Sequence, residues 1–332
     1  MRCYKLGITS INEVFELLKD DIKSVEDELL KNLDSEVQMV NEVASYVFKS
    51  GGKRLRPVFL ILSSKLSGYE GNRSIVISGV VEYIHTATLL HDDVIDGAMY
   101  RRGKKAANRV FGNDITVLCG DFLYSRAFVN LVKDGDPEVQ MILANAAKTM
   151  SEGEVFQLVK TANFDLTMED YLKIIFSKTA ILFSSCCEIG AVLSKSDKDK
   201  RENLREYGRL IGLAFQMSDD ILDYLGDENK TGKKPGTDLK EGKMTLPLLL
   251  LRDLIDDKEK KNLKEIILKE DPSEDDLIYI IGLMKKHNIK EKAEQFVDSY
   301  IEKAKEKLQI FPNSTYKEAL IYLSEYVIKR DR

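Results

Sequence analysis

Two short aspartate clusters, HDDVID at 91–96 and SDDILD at 218–223, each lie inside an otherwise apolar stretch. Both read Asp-Asp-x-x-Asp, giving Asp92, Asp93, Asp96 and Asp219, Asp220, Asp223. Residues i and i+4 of a helix share a face, so Asp92 projects with Asp96, and Asp219 with Asp223. An unpaired carboxylate is costly to bury. A chain that folds with LLHDDVI and FQMSDDILDYL against its core must therefore offset that charge with something cationic. Hard oxygen ligands in such pairs suit Mg²⁺, which keeps several waters and is shared between one or two carboxylates and substrate phosphates. One such cluster is equally well a solvated acidic helix end. Two in apolar surroundings point to metal.

At 332 residues the chain can form one large domain or two ordinary ones. Its net charge of −5, with no basic tail, argues against nucleic acid as a partner. Tryptophan is absent and proline occurs only at 57, 137, 235, 247, 272 and 312, so the punctuation of an all-β protein is missing. Cys3, Cys119, Cys186 and Cys187 show no CxxC spacing and no disulfide-framework density. No apolar stretch before a cleavage site marks a signal peptide, and no run of eighteen or more apolar residues marks a membrane span. A reducing cytoplasm is the expected location.

Helical periodicity dominates. Ile11, Val14, Phe15, Leu18, Ile22, Val25, Leu29 and Leu33 recur at three- and four-residue steps. Ser10 with Glu13 three residues on has the pattern of a capping box. Tyr316, Leu320, Leu323 and Val327 repeat the period at the other end. Gly51-Gly52 ends a helix near Lys49, and Pro57 suits the first turn of the next. Residues 75–96 are almost wholly apolar up to their aspartates, as expected of a buried helix. The longest loop is 226–243, either a linker or a functional lid. No strand alternation is convincing, and the fold class is all-α.

The basic residues narrow the chemistry. Lys53, Arg54 and Arg56 follow directly on Gly51-Gly52, where helix-start N–H groups and cations make a phosphate-binding corner or else a plain basic turn. Arg101 and Arg102 lie one loop after the first aspartate cluster, suited to bidentate phosphate contacts. Lys178-Thr179 sits in the apolar IIFSKTAILF, where the lysine either snorkels to solvent or reaches a diphosphate. Lys233 and Lys234 occupy the glycine-rich loop after the second cluster. His85 stands seven residues before Asp92 and reads equally as a satisfied core histidine.

The ordered set GGKRLRP, HTATLLHDDVIDGAMYRRG, FSKTA, FQMSDDILDY and GTDLKEGKMTLPLL resembles that of trans-isoprenyl diphosphate synthases over about residues 10 to 330. The resemblance implies a single domain, residues 1–332, built as a large helical bundle around a deep central cavity with the two clusters facing each other near its mouth. It also implies a homodimer. The reaction is head-to-tail elongation, in which an allylic diphosphate condenses with isopentenyl diphosphate and releases pyrophosphate. By this likeness Asp92 and Asp96 ligate Mg²⁺ on the allylic diphosphate, and Asp219 ligates another ion, with three ions per site in all. Asp93, Asp220 and Asp223 support them. Lys53, Arg56, His85 and Arg102 match positions that hold isopentenyl diphosphate. Arg101, Lys178, Thr179, Gln216 and Lys233 match those that hold the allylic diphosphate. No motif position departs from the pattern, which argues against a non-catalytic subunit that merely enlarges a partner's cavity. A terpene cyclase would lack GGKRLRP and carry a different second metal motif.

Product length is read from the helix before Asp92. Ala87 and Thr88 lie about one turn deeper, where short-chain synthases commonly carry an aromatic that closes the cavity. A small residue here, and the likeness of HTATLLHDD to hexa-, hepta- and octaprenyl synthases, imply a long product of roughly thirty to forty carbons for quinone side chains, with at most peripheral membrane association on release. The alternative is a short-chain farnesyl or geranylgeranyl synthase whose floor comes from another helix.

Overall fold

The structure, a computed structural model, describes residues 7–31, 33, 35–226 and 235–329. It is all-α, as the periodicity requires. Among the described residues the only strands are a two-residue antiparallel pair, Tyr100–Arg101 with Lys104–Lys105. Arg102 and Gly103 both have positive φ, 52° and 76°, the backbone of a tight two-residue turn whose twist matches paired strands. A segment expected to be plain loop is therefore a small hairpin.

The chain divides into two compact units. The first comprises Met1–Ala147, Ser185–Leu204 and Asn313–Ala319. At its centre the Arg73–Ile95 helix packs against Asn113–Asp134, Lys19–Lys31 and Leu55–Leu66. Arg73–Ile95 is buried on most of its circumference, which its lack of a polar face dictates. The N-terminal period appears as two helices, Ile11–Leu17 and Lys19–Lys31, with Val14, Leu18, Val25 and Leu29 buried. Ser10 caps the first by accepting from the Glu13 amide, but the Glu13 carboxylate reaches back to the Thr9 amide at 2.7 Å. Gln38–Phe48 ends at Lys49, and the positive φ of Gly51 and Gly52 turns the chain into Leu55–Leu66.

The second unit comprises Lys148–Ser184, Arg205–Pro312 and Leu320–Arg332. Here Leu246–Leu254 packs against Met168–Ile175, Glu274–Lys286 and Ile289–Lys307. Gly208 and Gly212 bring the Lys198–Leu225 helix into backbone contact with residues 180–184. A Cβ on Gly212 would lie 2.4 Å from the Ala180 Cα, and one on Gly208 would lie 2.5 Å from the Phe183 oxygen. The Tyr207 hydroxyl donates to the Leu320 carbonyl at 2.7 Å and fixes the last helix.

Two stretches, 113–134 and 168–193, are long and apolar enough to cross a membrane by length and composition alone. The second is largely buried within the protein, as a core helix is, and the first carries Asp121 and Arg126 midway. Lys233 and Lys234, with the rest of residues 227–234 of the expected loop, lie outside the described residues. Its remainder holds a short helix, Thr237–Lys240.

Candidate active site

In the first unit, Asp92 lies in the last turn of Arg73–Ile95 and Asp96 is its C-cap. The Asp96 amide still donates to the Asp92 carbonyl at 2.8 Å, so the helical repeat carries through and the two carboxylates share a face. A helix C-terminus is itself the negative end of the macrodipole, where carboxylates are disfavoured and cations favoured. No basic residue occupies that turn. Asp93 faces inward, buried, and accepts from Arg101 Nε at 2.6 Å, while its carbonyl accepts from Asn108 Nδ2 and the Ala98 amide. Burial raises the Asp93 pKa and the Arg101 guanidinium pulls it back. Asp93 thus ties the hairpin to the helix. Arg101, read from sequence as an allylic-diphosphate ligand, rests here on Asp93. Asp93, Arg101, Arg102, Tyr46 and Leu89 line a cleft of about 360 Å³.

The Gly-Gly corner sorts its cations. Arg54 turns inward to Glu82 at 2.7 Å, with side chains 8% and 4% exposed, so it belongs to the core and not to an anion site. Arg56 donates to His85 Nε2 at 3.0 Å. Arg cannot accept a hydrogen bond, so His85 is neutral with its proton on Nδ1. Burial and the neighbouring Arg56, Arg102, Arg101 and Arg54 hold its pKa well below the usual histidine value. Arg102 folds back to donate to the Gly51 carbonyl, and a Cβ on Gly52 would lie 2.8 Å from its guanidinium. That close passage explains the second glycine. Arg102 and Arg56 therefore both bear on His85, and exposed Lys53 adjoins them in the chain. Between His85 and Asp92 on the same helix, Ala87 is fully buried, and the Thr88 hydroxyl donates to the His85 carbonyl at 2.8 Å.

In the second unit, a π-helical turn at Phe176–Ala180 carries Lys178 and Thr179. Such turns insert one residue into the helical ladder and re-aim the side chains around it. Lys178 pairs with Glu154 at 2.9 Å. The Thr179 hydroxyl donates to Gln216 Oε1 at 2.8 Å, Gln216 Nε2 donates to Asp220 Oδ1 at 3.0 Å, and the Tyr171 hydroxyl donates to Asp220 Oδ2 at 2.6 Å. Burial pushes the Asp220 pKa up to about 7 against the pull of these donors. Asp223 accepts from the Thr237 and Asp238 amides at 3.2 and 3.0 Å and caps the Thr237–Lys240 helix. Asp219 stays half-buried. Tyr171, Lys178, Gln216, Asp220 and Lys243 line a cleft of about 540 Å³.

Of each aspartate trio, then, Asp93, Asp220 and Asp223 accept from identified protein donors. Among the described residues no three carboxylate, imidazole or thiol groups converge to hold an ion alone. That donor set fits an ion bound through one or two carboxylates and completed by water and substrate phosphates. Sequence reasoning missed Tyr171, Glu82 and the Gly208–Gly212 pair. Only the last left a signal, two glycines four residues apart on one helix face.

An all-α chain with carboxylates gathered at a helix C-terminus, and arginines set around a neutral histidine nearby, has the chemistry of a metal-assisted enzyme acting on anionic substrates. It belongs to the polyprenyl synthetase family, whose model matches residues 37–284, and is a trans-prenyltransferase. It is 37% identical to the octaprenyl diphosphate synthase of Escherichia coli (strain K12), over 97% of this chain and 100% of that protein. The decaprenyl diphosphate synthase of Rhodobacter capsulatus superposes with a TM-score of 0.92 at 36% identity, covering 97% of this chain and 99% of that one. A polyprenyl synthase from Caulobacter crescentus CB15, complexed with calcium and isoprenyl diphosphate, also gives 0.92, at 37% identity and 99% coverage of both chains. The family is metal-dependent.

Proposed function

We propose that this chain elongates an allylic diphosphate with isopentenyl diphosphate units, head to tail, to an all-trans product of roughly thirty to forty carbons. The observation that carries the reading is the stacked Asp92–Asp96 pair at a helix C-terminus, in a chain whose relatives include octaprenyl and heptaprenyl diphosphate synthases. Asp92 and Asp96 hold Mg²⁺ on the allylic diphosphate and Asp219 holds another ion, three in all. When bound, the ions neutralise the leaving diphosphate. Arg101, Lys178, Thr179, Gln216 and Lys233 grip the allylic diphosphate. Lys53, Arg56, Arg102 and neutral His85 grip isopentenyl diphosphate, with Arg56 and Arg102 supplying positive charge to the diphosphate that the elongated product retains.

Residues 1–332 act as one synthase domain. Support comes from the family match, which takes in segments of both units. The functional form is a homodimer. Leu118, Phe122, Val129 and Val132 share one face of Asn113–Asp134, with Val132 73% exposed, an apolar patch suited to a second copy. The location is cytoplasmic, in keeping with three buried unpaired cysteines, Cys119, Cys186 and Cys187, with peripheral membrane contact at most on product release.

The test is the purified chain alone, assayed for Mg²⁺-dependent consumption of isopentenyl diphosphate with one pyrophosphate released per unit added. Asp92→Ala keeps its helical content and loses turnover by about a hundredfold or more, as removal of a preorganised charge-stabilising group does. Pyrophosphate released without consumption of isopentenyl diphosphate would instead indicate a cyclase. Near-normal turnover of Asp92→Ala would remove the metal assignment.

A further inference from the structure

We infer that Tyr171 is a positioning residue for the allylic-diphosphate face, a role that rests on the function proposed above. Its hydroxyl fixes the Asp220 carboxylate, and Asp220 in turn fixes the Gln216–Thr179 pair. Tyr171 lies on Met168–Ile175, 2% exposed, with its hydroxyl 2.6 Å from Asp220 Oδ2. That distance is in the short range of O–H to carboxylate bonds. The other Asp220 oxygen accepts from Gln216 Nε2. This contact fixes which end of the Gln216 amide is nitrogen, and its oxygen is left to receive the Thr179 hydroxyl at 2.8 Å. One orientation therefore runs from Tyr171 through two side chains to Thr179.

The acidic groups that bear on Asp220 are Asp219, Asp223 and Asp238, all of which repel its charge. Without the tyrosine hydroxyl, the buried carboxylate keeps Gln216 as its identified side-chain donor, and it turns to recover another. Gln216 then loses its fixed partner, and Thr179 follows. Tyr171, Thr179, Gln216 and Asp220 all belong to the second unit, whereas Arg56, His85 and Arg102 belong to the first.

Tyr171→Phe removes one oxygen and keeps the ring. Steady-state kinetics should show the Michaelis constant for the allylic diphosphate rising roughly tenfold or more, the loss expected of one hydrogen bond to a charged group. The constant for isopentenyl diphosphate should stay within about twofold of the parent, since uniform binding of that substrate is untouched. A residue that merely packs would lower stability and leave the ratio of the two constants alone. In the Asp220→Asn background the same change should have little further effect, because residues acting through one network are non-additive. Should Tyr171→Phe fail to fold, the double variant Tyr171→Phe/Asp220→Asn removes the ill-partnered charge and is compared with Asp220→Asn alone. Equal allylic constants support the role. A Tyr171→Phe enzyme with both constants unchanged, with both raised in parallel, or with additive effects in the double variant overturns it. Absence of condensation by the parent itself would instead overturn the proposed function.

Discussion

Arg54 shows how a single residue can be misassigned by its neighbours. It sits between Lys53 and Arg56 in a run that reads as three surface cations, yet its guanidinium is buried on Glu82 and lies over the Phe48 ring at 5.7 Å from the centroid. Its left-handed backbone, φ 45°, opens the Leu55–Leu66 helix and turns the side chain inward. Breaking a buried ion pair strands the remaining charge at a cost of about 3–5 kcal/mol. Arg54→Ala should therefore lose stability of that order in urea titration, and Arg54→Met/Glu82→Leu should regain most of it. A loss below about 1 kcal/mol would match a solvent-screened pair instead. His85 carries the pH dependence at this scale. Its folded pKa is held well below the ordinary 6.5, so below pH 6.5 the unfolded chain takes up a proton that the folded chain refuses. Stability contributed here is complete above 6.5 and falls as the pH drops below it. His85→Gln should flatten that part of the stability profile; an unchanged slope between pH 6.5 and 5 would show that the ring is not held neutral.

At the scale of elements, periodicity is legible and irregularity is not. The caps at Ser10 and the Gly-Gly turn, and the buried helix before Asp92, follow from residue types whose local preference and tertiary role agree. The π-helical turn at 176–180 has no such signal, because FSKTA is ordinary helix by composition. Similarly, Asp223 reads as a third cluster carboxylate, but its acceptors are committed to the amides of Thr237 and Asp238, a contact spanning a loop that no local pattern could pair. The hairpin escaped notice because two-residue strands are too short to alternate. The Gly208–Gly212 face sets how closely the Lys198–Leu225 helix, which carries Gln216, approaches the backbone of residues 180–184. Gly212→Ala places a methyl against the Ala180 backbone, and overpacking of this kind costs about 1–3 kcal/mol. It should also raise the Michaelis constant for the allylic substrate, read by kinetics alongside denaturation. Parent-like values in both would mean that the helices separate without consequence.

For the whole molecule, composition and the five ordered motifs carried the fold class and the reaction, and the family match agrees with them. Chain length is harder, because it depends on the volume available to a tail and not on the residues that do chemistry. Ala87 is the sequence's strongest statement about it: a small, fully buried side chain a little over a turn before Asp92. Ala87→Phe should stop growth early, with initial rates on a short primer changing little and rates on a long primer collapsing, as quenched time courses would show. An unchanged product would place the floor elsewhere. The most direct measurement is the mass of the dephosphorylated product made by the purified parent chain, alone, with Mg²⁺, a farnesyl primer and saturating isopentenyl diphosphate. The main product should have roughly thirty to forty carbons and should disappear on chelation of the metal. A main product that stops at about twenty carbons, or elongation only when a second subunit is added, would overturn the long-chain synthase proposed for this chain.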